Sequence, residues 1–331
     1  MSNKVLLSPI METPDYDSED RRAALQQLGQ IAQLEPYPLG QEMQTEQAEG
    51  VIGVIADSSP FHDSFYRDGK DLRLVTRWGV GFDQVNVKAA TALGVVICVA
   101  PVHMDTVAEY AITQWLATLK RVYTLNHLSH GGDFSIIRTF DAQATTLGLY
   151  GFGRIGQQTA LRANPLLGER GKLLVYDIRP DIKEVAAEFG AEAVDDPMQL
   201  FERCDTVSLH VAGDDPIVSY EHLCAMKPHA SLINPSRGNL VDDEAVNRAI
   251  REECLYYYVV DVPPNGPREI HKGHERIICT NHNGGIAVES VIRLDRTTFA
   301  QVTDTLHGRR PDHILNPEVL DHPKVKGFLT G

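Results

Sequence analysis

The sequence has few of the features that mark metal, nucleic-acid or membrane proteins. Its five cysteines are scattered and form no C-x-x-C pair, which predicts reduced, mostly buried thiols in a cytoplasmic protein and no metal site. The net charge is −14 and no long basic run occurs, so we expect no nucleic-acid partner. No apolar stretch reaches the roughly 18 residues that a membrane helix needs, and we therefore expect no membrane partner.

The chain has 331 residues, a length that fits two domains. Two series of alternating strand and helix patterns follow one another along it. Strands that are apolar throughout and separated by helices predict parallel sheets covered on both faces. In the first series, which ends near residue 102, the predicted strands are 5–8, 51–56, 72–78 and 95–100, and the predicted helices include 21–30 and 87–93.

The second series begins with one long predicted helix over 107–125 and a polar loop over 130–145. The pattern that follows is that of a doubly wound α/β fold. A last predicted helix, 288–306, would carry the chain back to the first domain. The predicted strands of this series are 147–150, 173–176, 206–211, 231–233, 256–262 and 276–279, and its helices are 154–163, 182–189, 220–226 and 243–252.

A glycine motif, TLGLYGFGRIG at 146–156, lies between a predicted strand and a predicted helix. Gly151, Gly153 and Gly156 fit G-x-G-x-x-G, the dinucleotide fingerprint, in the structural context that the fingerprint requires. The three glycines permit a tight turn, close approach of a pyrophosphate and close packing of the helix, whose N-terminus faces the phosphates. Arg154 and Ile155, which begin the helix, are predicted cofactor contacts as well.

An acidic residue at the end of the next strand completes the fingerprint. Asp177, in LLVYDIRP, would accept hydrogen bonds from the ribose hydroxyls and repel a 2′-phosphate, which favours NAD over NADP. Arg179 lies two residues further on and offers the opposite possibility, a cation for that phosphate. The alternative to a cofactor role for Asp177 is a solvated carboxylate at a strand end.

Two side chains on predicted loops after strands are candidates for chemistry. Nicotinamide chemistry on an alcohol or acid needs a fixed cation for the oxyanion and a titratable group for the hydroxyl proton. Arg237, in INPSRGNLVDD, and His282, in CTNHNGG, supply these two types of group. Their ordinary structural alternatives are an arginine paired with Asp242 or Asp243 and a loop histidine without a catalytic role.

Several segments, in this order, resemble the D-isomer-specific 2-hydroxyacid dehydrogenase family. They are TRWGVGFDQVNVKAATALGV (76–95), TVAEYAI (106–112), the glycine motif, DTVSLHV (205–211), MKPHASLINPSRGNLVDDEAV (226–246), VVDV (259–262) and CTNHNGG (279–285). The resemblance implies a Rossmann domain, 103–292, inserted into a flavodoxin-like substrate domain made of 1–102 and 293–331. It also implies an active site in a cleft between the domains, closure about the two long helices, and a homodimer.

The resemblance further implies individual roles. Arg237 matches the arginine that binds the substrate carboxylate and carbonyl oxygen, and His282 matches the histidine that exchanges the proton. Asp261 matches the aspartate that holds the nicotinamide carboxamide. The remaining implied contacts are Val80 and Gly81, whose amides would receive the substrate carboxylate, His103 at a substrate-facing position, and His210 beside the cofactor.

One family residue is absent. The glutamate that hydrogen-bonds the catalytic histidine and raises its pKa would stand at position 266, where this sequence has Gly266 before Pro267. Three explanations stay open: another acid such as Glu269 or Glu275 replaces it, the reaction needs less proton transfer, or catalysis is lost. Tyr256-Tyr257-Tyr258 and the short segment after His210 are further departures, and they suggest a reshaped pocket for an unusual acid, a phosphonate among the options.

The sequence thus predicts an NAD-dependent oxidoreductase that transfers a hydride between NAD(H) and a small 2-hydroxy or 2-oxo acid. The alternative is a catalytically inactive NAD(H)-sensing protein of the corepressor type. Retention of Arg237 and His282 favours the enzyme, and loss of the glutamate favours the sensor.

Overall fold

The computed structural model describes residues 3–38, 42–213, 215–261 and 271–330, and it divides into two compact units. The first unit is Met1–His103 with Ala287–Gly331, and the second is Met104–Ile286. The second junction lies just before a long helix, whereas the boundary predicted at 292 would have fallen inside it. No helix in the described ranges combines the length and hydropathy that would let it cross a bilayer.

The first unit contains a five-stranded parallel sheet with the order β2-β1-β3-β4-β5. The central strand is apolar and buried at all six positions, as the sequence pattern predicts for a sheet covered on both faces. This strand order is that of flavodoxin. The strands are β1 Lys4–Leu7, β2 Gln33–Pro36, β3 Val51–Ala56, β4 Leu74–Arg77 and β5 Val96–Cys98, and the helices are α1 Glu19–Leu28, α2 Thr45–Ala48, α3 Asp63–Asp68, α4 Val87–Ala92, α12 Val288–Leu306 and α13 Pro323–Lys326.

The second unit contains a seven-stranded parallel sheet with the order β12-β11-β10-β9-β6-β7-β8. The chain runs outward in one direction through β6, β7 and β8 and then outward in the other from β9, so the predicted Rossmann fold is confirmed. The strands are β6 Thr146–Tyr150, β7 Lys172–Tyr176, β8 Glu192–Ala193, β9 Thr206–Leu209, β10 Ser231–Asn234, β11 Tyr257–Val260 and β12 Ile277–Cys279. The helices are α5 Met104–Leu119, α6 Val122–His130, α7 Arg154–Leu167, α8 Ile182–Glu188, α9 Met198–Arg203, α10 Tyr220–Ala225 and α11 Asp243–Arg251.

The long helix predicted over 107–125 is wrong, because the chain forms two helices there, α5 and α6. Arg121, between them, takes a left-handed conformation with φ of 51°, which ends α5 and redirects the chain. Its guanidinium lies 4.2 Å from the ring centroid of Tyr256, a contact that holds the turn against the end of the sheet.

Two of the three consecutive tyrosines, Tyr256 and Tyr257, pack against α6 and the turn before it. Tyr257 and Tyr258 are fully buried on opposite faces of β11. The Tyr257 hydroxyl lies 2.6 Å from Oγ1 of Thr124 on α6, and the Tyr256 ring lies under Arg121. The expectation of a changed pocket is therefore wrong for Tyr256 and Tyr257.

The prediction that the cysteines are reduced is also wrong for one pair. Cys224 and Cys254 form a disulfide with their Cα atoms 4.8 Å apart. A left-handed residue, Glu253, reverses the chain after α11 and brings Cys254 back beside α10. Cys98 and Cys204 are buried free thiols.

Candidate active site

The predicted residues of the second unit lie at the carboxyl edge of its sheet. In open α/β sheets, ligands bind at this edge, next to the point where the strand order reverses. In this sheet the reversal lies between β6 and β9. Each of six strands is followed within three residues by a predicted site residue, namely Gly151, Asp177, His210, Arg237, Asp261 and His282.

Two glycines of the fingerprint are required by packing. Gly151 has φ of +96°, and a Cβ there would lie 2.4 Å from the carbonyl oxygen of His210. A Cβ on Gly156 would lie 2.4 Å from the carbonyl oxygen of Gly151. Any larger residue at either position would therefore push the turn away from the neighbouring strand or helix.

Gly153 is different, because open space surrounds the position that its Cβ would occupy. It is the N-cap of α7, which has 14 residues and no side chain capping its first turn. Backbone amides at the start of such a helix attract anions, and Arg154 and Ile155 begin it. The open space beside Gly153 thus fits a diphosphate that approaches the backbone closely.

Asp177 follows β7 and closes the turn. Its carboxylate accepts hydrogen bonds from the Phe152 amide at 2.6 Å and the Arg179 amide at 3.0 Å. The Arg179 guanidinium donates to both oxygens of Asp181, at 2.6 and 2.8 Å. The cation that could bind a 2′-phosphate is therefore already paired with a carboxylate of this chain. Ile178, between them, is 90% exposed and offers an apolar surface next to the carboxylate.

His210 lies next to the glycine turn at the end of β9. Both ring nitrogens are buried and have no hydrogen-bond partner among the described residues. Burial lowers the pKa of His210 to about 3, so the ring is neutral at physiological pH. Buried polar atoms are nearly always hydrogen-bonded in folded proteins, and these two nitrogens are therefore suited to a ligand in the turn.

Arg237 is held by the buried side chain of Asn234, the last residue of β10. The Asn234 amide donates to the Arg237 carbonyl at 2.8 Å and to the Tyr258 hydroxyl at 3.3 Å. Its oxygen accepts from the amide of Ser236, whose hydroxyl donates to the carbonyl of Leu209 on β9. These bonds fix the backbone from which the half-buried Arg237 side chain extends.

Asp261 organises the loop that carries His282. The buried carboxylate accepts from Thr280 Oγ1 at 2.6 Å, the Asn283 amide at 2.9 Å and the Gly284 amide at 2.7 Å. Because Oδ1 takes two of these bonds and Oδ2 takes one, Oδ2 keeps an acceptor position for another donor. The predicted contact with a carboxamide is compatible with that position.

His282 is exposed and has φ of +57°, a left-handed conformation that is uncommon for residues other than glycine. Its amide donates to the Asp261 carbonyl at 2.5 Å, while the Asp261 side chain binds the residues on either side. The strained residue is therefore held from both sides by one aspartate, as is common at functional sites.

Tyr110 and Thr280 help to support this loop, and neither residue was predicted to do so. The Tyr110 hydroxyl on α5 lies 2.6 Å from Thr280 Oγ1, which in turn donates to Asp261. The Tyr110 ring also packs against Gly284, where a Cβ would lie 3.1 Å from it. Tyr110 belongs to the motif TVAEYAI and Thr280 belongs to CTNHNGG, but only the fold brings the two residues together.

The substrate residues predicted in the first unit form a second group. Gly79 begins the loop with φ of +148°, and its carbonyl accepts from the Ala100 amide at 2.8 Å. The carbonyl of Gly81 accepts from Arg77 Nε at 2.8 Å. A Cβ on Gly79 would lie 3.9 Å from the His103 ring, so Val80, Gly81 and His103 lie in one region of this unit.

Position 266, Pro267 and Glu269 lie outside the described residues. The other candidate for the absent glutamate, Glu275, lies 3.3 Å from His127 Nε2 at an exposed position. In the described ranges, no three His, Cys, Asp or Glu side chains are grouped as metal ligands would be.

Comparison with known proteins identifies the family. The model of the D-isomer specific 2-hydroxyacid dehydrogenase NAD-binding domain matches residues 112–284, more than half of the chain and within the second unit. This chain belongs to the D-isomer specific 2-hydroxyacid dehydrogenase family. It is an NAD-dependent oxidoreductase, and the glycine turn with the open space at Gly153 fits that cofactor.

Individual relatives within the D-isomer specific 2-hydroxyacid dehydrogenase family are distant. A glyoxylate reductase of Korarchaeum cryptofilum is 28% identical over 291 residues, 82% of this chain and 84% of that protein. A D-3-phosphoglycerate dehydrogenase of Methanocaldococcus jannaschii is 27% identical over 93% of this chain, which spans only 59% of that protein. The solved glyoxylate reductase of Paecilomyes thermophila has a TM-score of 0.79 at 21% identity, over 96% of this chain and 99% of that one, which shows the shared fold.

Proposed function

We propose that the chain interconverts a small 2-oxo acid and its 2-hydroxy acid, with Arg237 holding the substrate and His282 exchanging the proton. The observation that carries this proposal is the arrangement at the ends of β10, β11 and β12. Asn234, Asp261 and the loop after Cys279 lie at the ends of three adjacent strands, and the Asp261 amide donates to the Asn234 carbonyl at 3.0 Å. A fixed cation and an imidazole thus follow β10 and β12, the two strands on either side of β11.

NAD, when bound, supplies the hydride donor or acceptor. The residues that would hold it are Gly153, Arg154 and Ile155 for the diphosphate, Asp177 for the ribose hydroxyls, Ile178 for the adenine, His210 beside the turn and Asp261 for the carboxamide. As a hydride adds to the carbonyl carbon, negative charge develops on the oxygen. The guanidinium of Arg237 stabilises that charge, and His282 donates a proton to it; in oxidation His282 accepts the proton.

The amides of Val80 and Gly81, with His103 beside them, are our proposed contacts for the substrate in the first unit. Several relatives similar to this chain are glyoxylate reductases, which supports glyoxylate as the first acid to test. We expect NADH oxidation in the presence of glyoxylate, measured at 340 nm over several pH values. Tight NADH binding without turnover of any 2-oxo acid would favour the NAD(H)-sensing alternative.

Asp177→Ala tests the choice between the two dinucleotides. Loss of the carboxylate removes the ribose contact and the repulsion of a 2′-phosphate. It also removes the hydrogen bond from the Phe152 amide. We expect the ratio of kcat/KM for NADH to that for NADPH to fall by about 10- to 100-fold, a change of about 1–3 kcal/mol. Asp195→Ala, at an exposed carboxylate after β8 that pairs with Lys183, is the control. An unchanged ratio in Asp177→Ala would show that another group selects the cofactor.

We also propose a homodimer formed through the second unit. Phe134 and Ile136, on the loop after α6, are 82% and 99% exposed. Exposed apolar patches mark interaction surfaces, and these two large side chains lie only two residues apart on one loop. We expect the unaltered chain to sediment as a dimer and the double variant Phe134→Ser/Ile136→Ser as a monomer. If both sediment as the same species, this loop does not form the interface.

A cytoplasmic location is likewise our proposal, supported by the buried free thiols Cys98 and Cys204 and by use of NAD. The Cys224–Cys254 disulfide argues against a cytoplasmic location, because disulfides are rare in cytosolic proteins. Trapping of thiols in intact cells, followed by a count of free cysteines, distinguishes a reduced from an oxidised pair.

A further inference from the structure

Two hydroxyl groups connect α5 to the buried carboxylate of Asp261. The Tyr110 hydroxyl lies 2.6 Å from Thr280 Oγ1, which lies 2.6 Å from Asp261 Oδ1. Tyr110 is part of α5, Thr280 directly follows β12, and Asp261 directly follows β11. The three side chains therefore form a hydrogen-bonded chain that begins on a helix and ends at the carboxyl edge of the sheet.

The direction of the hydrogen bonds in this chain follows from the protons that each group carries. A carboxylate only accepts hydrogen bonds, so Thr280 gives its single hydroxyl proton to Asp261. The Thr280 oxygen is then an acceptor, and Tyr110 is the donor to it. Burial raises the pKa of Tyr110 well above its ordinary value, which keeps the phenol protonated at physiological pH.

The Asp261 carboxylate is held by three donors, and one of them is a side chain. Oδ1 accepts from Thr280 Oγ1 and from the Asn283 amide at 2.9 Å, and Oδ2 accepts from the Gly284 amide at 2.7 Å. A carboxylate has about four acceptor positions, so these bonds leave one position on Oδ2. The rotation of the carboxylate thus depends on the Thr280 hydroxyl, which Tyr110 holds in turn.

Gly284 fixes the spacing between the tyrosine ring and the carboxylate. A Cβ on Gly284 would lie 2.7 Å from Asp261 Oδ2 and 3.1 Å from Tyr110 Cγ. The glycine therefore lies between the two side chains, in contact with both. Because phenylalanine keeps the ring of Tyr110, the variant Tyr110→Phe removes the hydroxyl and leaves this packing in place.

We propose that Tyr110 and Thr280 are positioning residues for the cofactor: they hold the Asp261 carboxylate in the orientation in which it accepts a hydrogen bond from the nicotinamide carboxamide. The inference rests on the contact between Asp261 and the carboxamide in the proposed function. Both residues act through Asp261. Hydrogen bonds in a chain strengthen one another, so loss of the outer Tyr110 hydroxyl weakens the inner bond to Asp261.

The test compares NADH with the reduced form of 3-acetylpyridine adenine dinucleotide, which has a methyl ketone in place of the carboxamide and therefore has no N–H to donate. Calorimetry gives the affinity for each. In Tyr110→Phe, we expect the affinity for NADH to fall about fivefold and that for the analogue to stay within about twofold. In Thr280→Val, we expect a fall of about tenfold for NADH and again no more than about twofold for the analogue.

Three further variants serve as controls. Thr280→Ser keeps the hydroxyl and should keep both affinities within about twofold. Tyr123→Phe, on α6, removes a hydroxyl that bonds to Gln114 outside this chain of hydrogen bonds, and it should leave both affinities unchanged. The double variant Tyr110→Phe/Thr280→Val should lose no more NADH affinity than Thr280→Val alone, because the outer hydroxyl then has no inner bond to strengthen.

The cofactor affinities are measured without substrate, which separates this inference from the proposed function. If no 2-oxo acid is turned over, the proposed function fails, and the two affinities still decide the role of Tyr110. Equal losses for NADH and the analogue in Tyr110→Phe and Thr280→Val, with both proteins folded by circular dichroism, would show that the hydroxyls only support the loop and would overturn the inference. Unchanged NADH affinity in both variants would overturn it as well.

Discussion

His282→Asn should lower kcat for glyoxylate reduction by about 10²- to 10⁴-fold, the usual contribution of a general acid. Asparagine adopts the left-handed conformation of residue 282 more readily than most residues, so the loop should keep its shape while the titratable ring is lost. The affinity for NADH should remain within about twofold, because the proposed cofactor contacts lie elsewhere. Stopped-flow measurement of NADH oxidation, with fluorescence titration of NADH, gives both quantities.

Asn281→Ala is the control for this variant, since it changes the preceding exposed side chain of the same loop. It should retain kcat within about threefold. Equal losses in the two variants would mean that the loop, and not the imidazole, matters. A fully active His282→Asn would remove His282 from the chemistry altogether.

Asp295→Asn should lower the free energy of unfolding of the first unit by about 3–5 kcal/mol, because it leaves a buried guanidinium without its counter-charge. Arg21 donates to the two Asp295 oxygens at 2.9 and 2.7 Å, and both side chains are 1% exposed. The Trp78 indole donates to the same carboxylate at 2.7 Å. The pair joins α1 to α12, the helix that follows the second unit in the chain.

The chain offers a matched control on the same two helices. Asp20 and Arg296 are the sequence neighbours of the buried pair and form an exposed pair at 3.0 Å, with side chains 42% and 67% exposed. Asp20→Asn should lower the free energy of unfolding of the first unit by less than about 1 kcal/mol. In a Trp115→Phe background, Trp78 is the remaining tryptophan, so its fluorescence during urea unfolding reports on the first unit. Equal losses in the free energy of unfolding for Asp295→Asn and Asp20→Asn would show that the buried pair stabilises the first unit no more than the exposed pair does.

The elements that the sequence predicted best are those whose pattern is set by burial alone. β3 is apolar at every position and α12 has apolar residues at helical spacing, and both have the predicted bounds. β2, with the sequence QLEP, was missed because it is a polar edge strand without a hydrophobic run. The break at Arg121 was missed because a left-handed arginine has no local signal comparable to that of glycine.

The position of the candidate site was predictable to the extent that its residues directly follow predicted strands. The glycines, Asp177, Arg237 and His282 follow strands, and their spacing alone places them at one edge of the sheet. The support around them depends on strand register: Asp261 binds Thr280 and Gly284 only because β11 and β12 end side by side. The Cys224–Cys254 disulfide was unpredictable for the same reason, since it depends on the packing of α10 against α11.

The most direct test of the central claim is a crystal structure of the chain with NADH and oxamate, a non-reducible analogue of a 2-oxo acid. We expect the Arg237 guanidinium and the His282 imidazole both to lie within hydrogen-bond distance of oxamate oxygens, with the oxamate against the nicotinamide ring. Oxamate bound away from these two side chains, or a nicotinamide ring that does not lie beside them, would contradict it.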